Sequence, residues 1–203
     1  MTWIDINSKW REGQPVTDSP YVVWENLFQE MPEMLSDLTK FCSSLKLEQA
    51  GMFNDAEGAD LLSVRNTRVG WIKKEDLSDD MKAISNWIWS SISSSNYWEF
   101  DIRGFGEAWQ YAEYGPGSKY GWHVDVGPEN NHRKLSLTLQ LSDRNDYTGG
   151  LFQLEGQAPF SDSHFLKKGS TIMFPSHHRH KVHPVITGMR KSLVIWVSGP
   201  KLK

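Results

Sequence analysis

Cysteine is almost missing from this chain. Cys42 stands alone among 203 residues, so no internal disulfide can form, and a reducing compartment is the setting it suits. Long apolar runs are missing as well. Nothing approaches the roughly 20 residues of a membrane span, and residues 1–15 hold no apolar segment of the kind that opens a signal peptide. No membrane association is expected, and a cytoplasmic location is. Basic excess is a third absence. A net charge of −3 gives no strong signal for nucleic acid. No fixed-period repeat is visible, and nothing in the sequence speaks to oligomeric state. Aromatic residues, by contrast, are plentiful. Ten Trp, nine Phe and six Tyr within a 38% hydrophobic composition describe a globular chain. Its length suits one domain with a real core. A single domain over 1–203 is expected, with 1–96 as helical support and 97–203 as a β core.

The order of patterns along the chain supports that division. Residues 1–20 are polar, with Pro15 and Pro20, and read as an irregular arm. Tyr21–Trp24 is β-prone. Between about 25 and 47, Leu27, Met31, Met34, Leu35, Leu38, Phe41, Cys42 and Leu45 recur at spacings of three and four, an amphipathic helix. Pro32 falls where it can open that helix. Residues 48–60 read as loop and Leu61–Ile72 as strand. Ser78-Asp79-Asp80 looks like an N-cap. It precedes a second helix through Met81, Ile84, Trp87, Ile88 and Ile92, ended by the serines of 90–95. After that, strands are expected near 97–103, 106–114, 118–124, 134–142, 150–155, 163–166, 171–174, 179–186 and 190–198, with Gly, Pro and Asn clusters between them. Leu135, Leu137, Leu139 and Leu141 alternate with Ser136, Thr138, Gln140 and Ser142, a period of two. Helices first and strands after give an α+β fold, a barrel or jelly roll buttressed by N-terminal helices.

His123 and Asp125 carry the chemistry. Residues i and i+2 of a strand share a face, so both can converge on one ion. A third ligand would come from the late histidines, His177, His178, His180 and His183. Two imidazoles and one carboxylate on one face leave positions open, as in non-haem iron oxygenases. An H-x-D pair alone is more often a solvated turn, and a histidine-rich tract alone is often surface decoration. The two together, across a strand-rich segment, are stronger. Composition leaves open which late histidine completes the set.

The segment from His180 through Val182, Pro184, Val185 and Gly188 to Arg190 resembles the H-x-V-x-P-V-x-x-G-x-R/K signature of prolyl-4-hydroxylase-like 2-oxoglutarate/Fe(II) dioxygenases. Upstream, Tyr114 to Asp125 is similar to the family's Y-x-x-G-x-x-Y-x-x-H-x-D lead-in. Thr148–Phe152 and Lys168–Phe174 resemble its G-G-x-L/F and K/P-x-G-x-x-x-x-F steps. The likeness covers roughly residues 97–198. It implies a double-stranded β-helix, Fe(II) held by His123, Asp125 and His180, and 2-oxoglutarate anchored by the fork of Arg190. Its other co-substrate is O2, with ascorbate as a candidate reductant. His183 falls at a variable position, and a three-residue step along one strand would turn it to the opposite face. His177 and His178 read as rim loop.

Tyr114 stands where relatives commonly hydrogen-bond 2-oxoglutarate. An aromatic core role is the other reading. Thr138 and Gln140 are rim candidates, and Arg68 and Trp71 are candidates for the substrate cleft. Loops 50–66, 127–133 and 143–149 are expected to shape that cleft. Trp196 matches a family tryptophan whose simpler role is packing, and Trp122 abuts His123. The resemblance implies hydroxylation of peptidyl proline in a peptide or protein partner. Small molecules and nucleobases are alternatives. A zinc hydrolase is a second class, though it leaves Arg190 without a use and has no H-E-x-x-H motif. A non-catalytic, ligand-binding jelly roll is a third.

Overall fold

Residues 19–50, 66–161 and 163–201 are described by the structure, a computed structural model. The arm over 1–18, the loop over 51–60 and the first part of the strand expected from Leu61 lie outside them. Two helices form where the spacing of apolar residues predicts. Helix α1 spans Pro32–Ser44 and buries Leu35, Leu38 and Cys42. Pro32 sits in the first turn, where a missing N–H costs no hydrogen bond. Helix α2 spans Asp79–Ser94. The Ser78 hydroxyl accepts from the Met81 N–H at 3.3 Å, and Asp79 and Asp80 meet the positive end of the helix. Its buried stripe is Met81, Ile84, Ile88 and Ile92.

The serine run ends α2 as expected, at Ser94 with Ser95 as its C-cap. Ser91 Oγ donates to the Trp87 carbonyl and Ser94 Oγ to the Ser91 carbonyl, both at 3.0 Å, so the hydroxyls are satisfied inside the helix. The indole N–H of Trp87 donates to the Leu27 carbonyl at 2.9 Å and ties α2 to the segment ahead of α1.

The main sheet is made of β1 (Val22–Trp24), β2 (Glu48–Gln49), β3 (Arg68–Ile72), β4 (Gly104–Phe105), β5 (Trp109–Tyr114), β7 (Arg133–Gln140), β10 (Thr171–Pro175) and β13 (Arg190–Ser198). Its order is β1-β10-β7-β13-β5-β3-β2, with β4 also paired to β13. A second sheet has the order β6-β11-β9, from Tyr120–His123, His180–Val182 and Phe152–Leu154. β8 (Tyr147–Gly149) and β12 (Val185–Gly188) form a ribbon. This is an α+β double-stranded β-helix with its long helices on one side.

Each major strand divides its residues between two cores. Leu135, Leu137 and Leu139 of β7, Leu193, Ile195 and Val197 of β13, Trp109 and Tyr111 of β5, and Met173 of β10 pack with α1 and α2. Their neighbours Ala112, Tyr114, Ile172 and Phe174 face the second sheet and pack with Phe152, Leu154 and Val182. Ser136, Thr138 and Arg190 line the cavity between the sheets. The helices therefore hold the sheet from behind and leave its other face free for a site.

Three expected strands differ. Residues 97–103 form no strand. The Asn96 side chain closes a turn there, donating to the Phe100 carbonyl at 2.8 Å and accepting from its N–H at 3.3 Å, and Glu99 takes φ 56°. Residues 163–166 form one helical turn, α3 (Ser163–Leu166). From that turn the adjacent Phe165 and Leu166 are both buried. The strand expected over 179–186 splits into β11 and β12 at His183-Pro184, where proline has no N–H to pair.

Leu139 is fully buried on the helix side of β7. Leu139→Ala should lose about 2–5 kcal/mol of stability in urea unfolding, with binding in the opposite cavity intact.

Candidate active site

His123 closes β6 and His180 opens β11, and the two are antiparallel partners. Asp125 follows β6 by two residues, and its N–H donates to the Ser176 carbonyl at 3.0 Å. Nε2 of His123 lies 3.6 Å from Asp125 Oδ1, and Nε2 of His180 lies 3.7 Å from Oδ2. One ligand atom from each of the three falls within 4.8 Å of the others. Two ligands each roughly 2.1 Å from a shared ion, at a right angle, stand about 3 Å apart, so the three could hold one ion after a small contraction. Nδ1 of His123 lies 2.8 Å from the Gly121 carbonyl, and Nδ1 of His180 lies 2.9 Å from that of His178. A carbonyl only accepts, so each Nδ1 carries the proton and each Nε2 offers a lone pair inward. Tyr120 stacks on the His123 ring at 3.6 Å between centroids, and Phe174 meets His180 edge-on at 4.7 Å. Both imidazoles are thus held in plane and in tautomer.

Asp125 is buried. Burial acts to raise its carboxyl, but the positive charge that His180 and His123 carry when protonated, together with the Ser136 hydrogen bond, outweighs it and holds the group below the usual carboxylate range. Ser136 Oγ donates to Oδ2 at 2.5 Å and lies 2.9 Å from Ser176 Oγ. The carboxylate can only accept, so the single Ser136 proton points to it and Ser176 donates to Ser136. Oδ1 keeps its lone pairs available to an ion. The Trp196 indole N–H lies beside the same carboxylate without a hydrogen bond of ordinary geometry. Arg133 Nη1 donates to the Asp125 carbonyl at 3.0 Å, and its guanidinium lies 3.9 Å above the Trp196 ring. Its other nitrogens grip both oxygens of Glu107, at 2.6 and 2.5 Å.

The triad opens into a cavity of about 380 Å³. Arg190 and Tyr114 line the same cavity as cross-strand partners of β13 and β5, with the guanidinium 5.2 Å from the Tyr114 ring centroid. Arg190 is only 4% exposed. Its Nη1 donates to Ser192 Oγ at 3.1 Å, and Tyr147 lies beside it. Among the described residues no carboxylate pairs with Arg190. A buried cation without a counter-charge is costly, so this end of the cavity suits a ligand carboxylate. The residues present thus fit a divalent metal such as Fe(II) at one end and an acid such as 2-oxoglutarate at the other. Burial raises the Tyr147 phenol above its usual range, against the pull of Arg190, and its oxygen accepts from Gln140 Nε2 at 2.6 Å.

Other candidates fall on both sides of the sheet. Trp71 and Thr138 line the cavity. Arg68, three residues before Trp71, points to the other face and pairs with Glu113 at 2.7 Å. His183 bonds to Gln153 Oε1 at 2.7 Å, beyond the end of β11 and away from the triad. His177 and His178 do not line the cavity; the His178 carbonyl instead orients His180. Trp122 borders the cavity, with Lys181 Nζ 4.6 Å from its ring centroid. Of the loops expected to shape the cleft, Gly127 and Asn130 border it, while 51–65 lie outside the described residues. Ser136, Glu107, Arg133 and Tyr147 were not singled out by sequence. Only the alternation along β7 hinted at Ser136, and which face it marked was undetermined.

Residues 109–198 match the profile of the 2OG-Fe(II) oxygenase superfamily. A PKHD-type hydroxylase of Synechococcus elongatus is 38% identical over 94 residues, which cover 44% of this chain and 42% of that protein. A PKHD-type hydroxylase of Synechococcus sp. strain CC9902 is 43% identical over 88 residues, 41% of this chain and 37% of that one. The matches thus span about two-fifths of these relatives. A prolyl-4-hydroxylase of Pseudomonas putida shares the fold over 90% of this chain and 94% of its own, with a TM-score of 0.69 at 18% identity. A prolyl hydroxylase of Trichoplax adhaerens, solved with a peptide fragment of hypoxia inducible factor, gives 0.65 at 18%, over 90% and 84%. Residues 109–198 are thus similar in sequence to 2OG-Fe(II) oxygenases, and the chain shares its fold with prolyl hydroxylases of known structure. No helix among the described residues is long and apolar enough to cross a membrane.

Half-burial acts to raise the Glu107 carboxyl. The Arg133 fork and charge, with the His132 contact at 3.0 Å, outweigh it and hold the group below its usual range. A carboxyl depressed in the folded state stabilises the fold above its unfolded pKa, and that contribution disappears as pH falls through the folded value. Urea unfolding should therefore show stability falling as pH drops below about 4.3, the unperturbed glutamate value. In Glu107→Gln that part of the acid dependence should be missing.

Proposed function

We propose that the chain is an Fe(II)- and 2-oxoglutarate-dependent hydroxylase. His123, Asp125 and His180 hold the metal, and Arg190 binds the distal carboxylate of 2-oxoglutarate, with Tyr114 beside it. The observation that carries this reading is the coexistence, in one cavity, of a two-imidazole, one-carboxylate set and a buried arginine with no carboxylate partner among the described residues. When bound, Fe(II) with 2-oxoglutarate and O2 supplies the oxidant for C–H hydroxylation, releasing succinate and CO2.

The chain's own part is placement. Gly121 and His178 fix the imidazole tautomers, and Ser136 holds one oxygen of Asp125 so that the other faces the ion. Phe152 and Phe174 wall His180 and keep water from that side. Trp71, 38% exposed and 6.5 Å from Trp196 between centroids, offers an aromatic wall at the cavity mouth. The substrate proposed is a proline residue in a peptide. The fold likeness to prolyl hydroxylases and the open, aromatic-walled mouth support it. A non-prolyl small molecule or nucleobase is the alternative. A zinc hydrolase would have no use for Arg190. The proposal includes a single domain over residues 1–203. It also includes a reducing, cytoplasmic setting, which the one buried cysteine suits. Burial pushes the Cys42 thiol up to about 12.

Anaerobic addition of Fe(II) and 2-oxoglutarate should produce a weak visible charge-transfer band. In air, succinate should accumulate with a proline-rich peptide that gains the mass of one oxygen atom. Arg190→Met should weaken 2-oxoglutarate binding by about 100-fold, the loss expected for a charge-assisted pair of roughly 3 kcal/mol, while metal affinity stays. No band, and no succinate with any substrate, would overturn the reading. Succinate release with a small molecule and none with peptides would leave the chemistry and replace the substrate.

A further inference from the structure

We infer that Glu107 and Arg133 form a positioning clamp on Asp125 that governs how tightly the triad takes a divalent cation. The inference rests on the proposed role of His123, Asp125 and His180 as metal ligands. Regular pairing stops at His123, where β6 ends. Asp125 is therefore a ligand that no strand holds. Its N–H goes to Ser176 and its carbonyl to Arg133 Nη1. The arginine is what fixes the carbonyl side.

Arg133 is itself over-determined. It is 8% exposed. Nε and Nη2 close on the two oxygens of Glu107, Nη1 is committed to Asp125, and one face rests on Trp196. A planar fork held along three directions has little freedom to swing. Although Arg133 lines the cavity, its donors are committed to protein groups, which sets it apart from Arg190.

Glu107 is anchored in turn. Its Oε1 also meets His132 Nε2 at 3.0 Å. The residue before it, Gly106, lies so close to β13 that a Cβ there would stand 2.2 Å from Ser198 Oγ and 2.8 Å from Ser198 Cβ. The turn can press this near only because residue 106 has no side chain. A continuous path then runs from that turn through Glu107 and Arg133 to the backbone of Asp125. The path touches neither imidazole in the bonds described, so it acts on the triad through the carboxylate ligand.

The test uses the full chain, stripped of metal, with Co(II) as the probe. Affinity is read by titration and geometry from the visible absorption of bound Co(II). The wild type should bind one Co(II) saturably. Glu107→Gln should raise the Kd about tenfold, the lower end of what loss of a supporting partner costs a metal site, and should shift the Co(II) spectrum. Arg133→Lys keeps the charge without the fork and should do the same. Leu139→Ala, destabilised from the far side of β7, should bind as the wild type does, which separates positioning from general loss of stability. If Glu107→Gln does not fold, Glu107→Asp, one methylene short of the fork, serves the same comparison. A wild type that takes up no Co(II) would overturn the metal reading itself. A wild type that binds, with clamp variants matching it in Kd and spectrum, would overturn the clamp alone. So would an equal weakening in Leu139→Ala.

Discussion

Asp125 is a carboxylate taken out of water, and a buried charge survives only where donors or opposite charge replace the lost solvent. Ser136 gives its hydroxyl to one oxygen, the two imidazoles face the carboxylate, and the Trp196 N–H lies alongside. Those partners come from β6, β7, β11 and β13, strands of both sheets. The group is therefore satisfied only when the two sheets are stacked in their final register. The placement of this carboxylate and the stacking of the sheets are two consequences of one electrostatic requirement.

What allows so polar a seam is the apolar face behind it. Every long strand of the main sheet sends alternate residues backward against α1 and α2, where Leu135, Leu137, Leu139, Leu193 and Ile195 are wholly buried. Ser136 and Ser192 then stand on the other face, where an unsatisfied hydroxyl would be destabilising were it not bonded. Ser136 is bonded to Asp125, and Ser192 accepts from Arg190. The period of two therefore sorts residues into scaffold and site along a single strand.

The helices, the nine-residue β13 and the alternation of β7 were legible because local spacing encodes them. The split at His183-Pro184, the helical turn at Ser163–Leu166 and the irregular 97–103 segment were not. Each depends on what its side chains meet far away or on one local side-chain bond, such as Asn96 to Phe100. The site divides the same way. His123, Asp125, His180 and Arg190 stand at motif spacings, and all four border one cavity. Arg68 was misjudged relative to Trp71 because a three-residue step changes faces. Glu107 and Arg133 carry no motif. Their importance arises from a contact across 26 residues of chain that only the folded register creates.

The charges at the two ends of the cavity bear on its ligands together. Asp125 contributes one negative charge at the triad, and Arg190 one positive charge where no carboxylate among the described residues meets it. A divalent cation alone would leave the enclosure with net positive charge and Arg190 still uncompensated. A dianion alone would meet Asp125 with nothing between them. A divalent cation at the triad and a dicarboxylate reaching from it to Arg190 bring the whole set to neutrality, with every charge adjacent to its opposite. The cation also screens the ligand from Asp125, so each partner improves the site for the other. A metal-bound water in place of the acid would leave Arg190 buried and unpaired, which is the physical objection to a hydrolytic centre here.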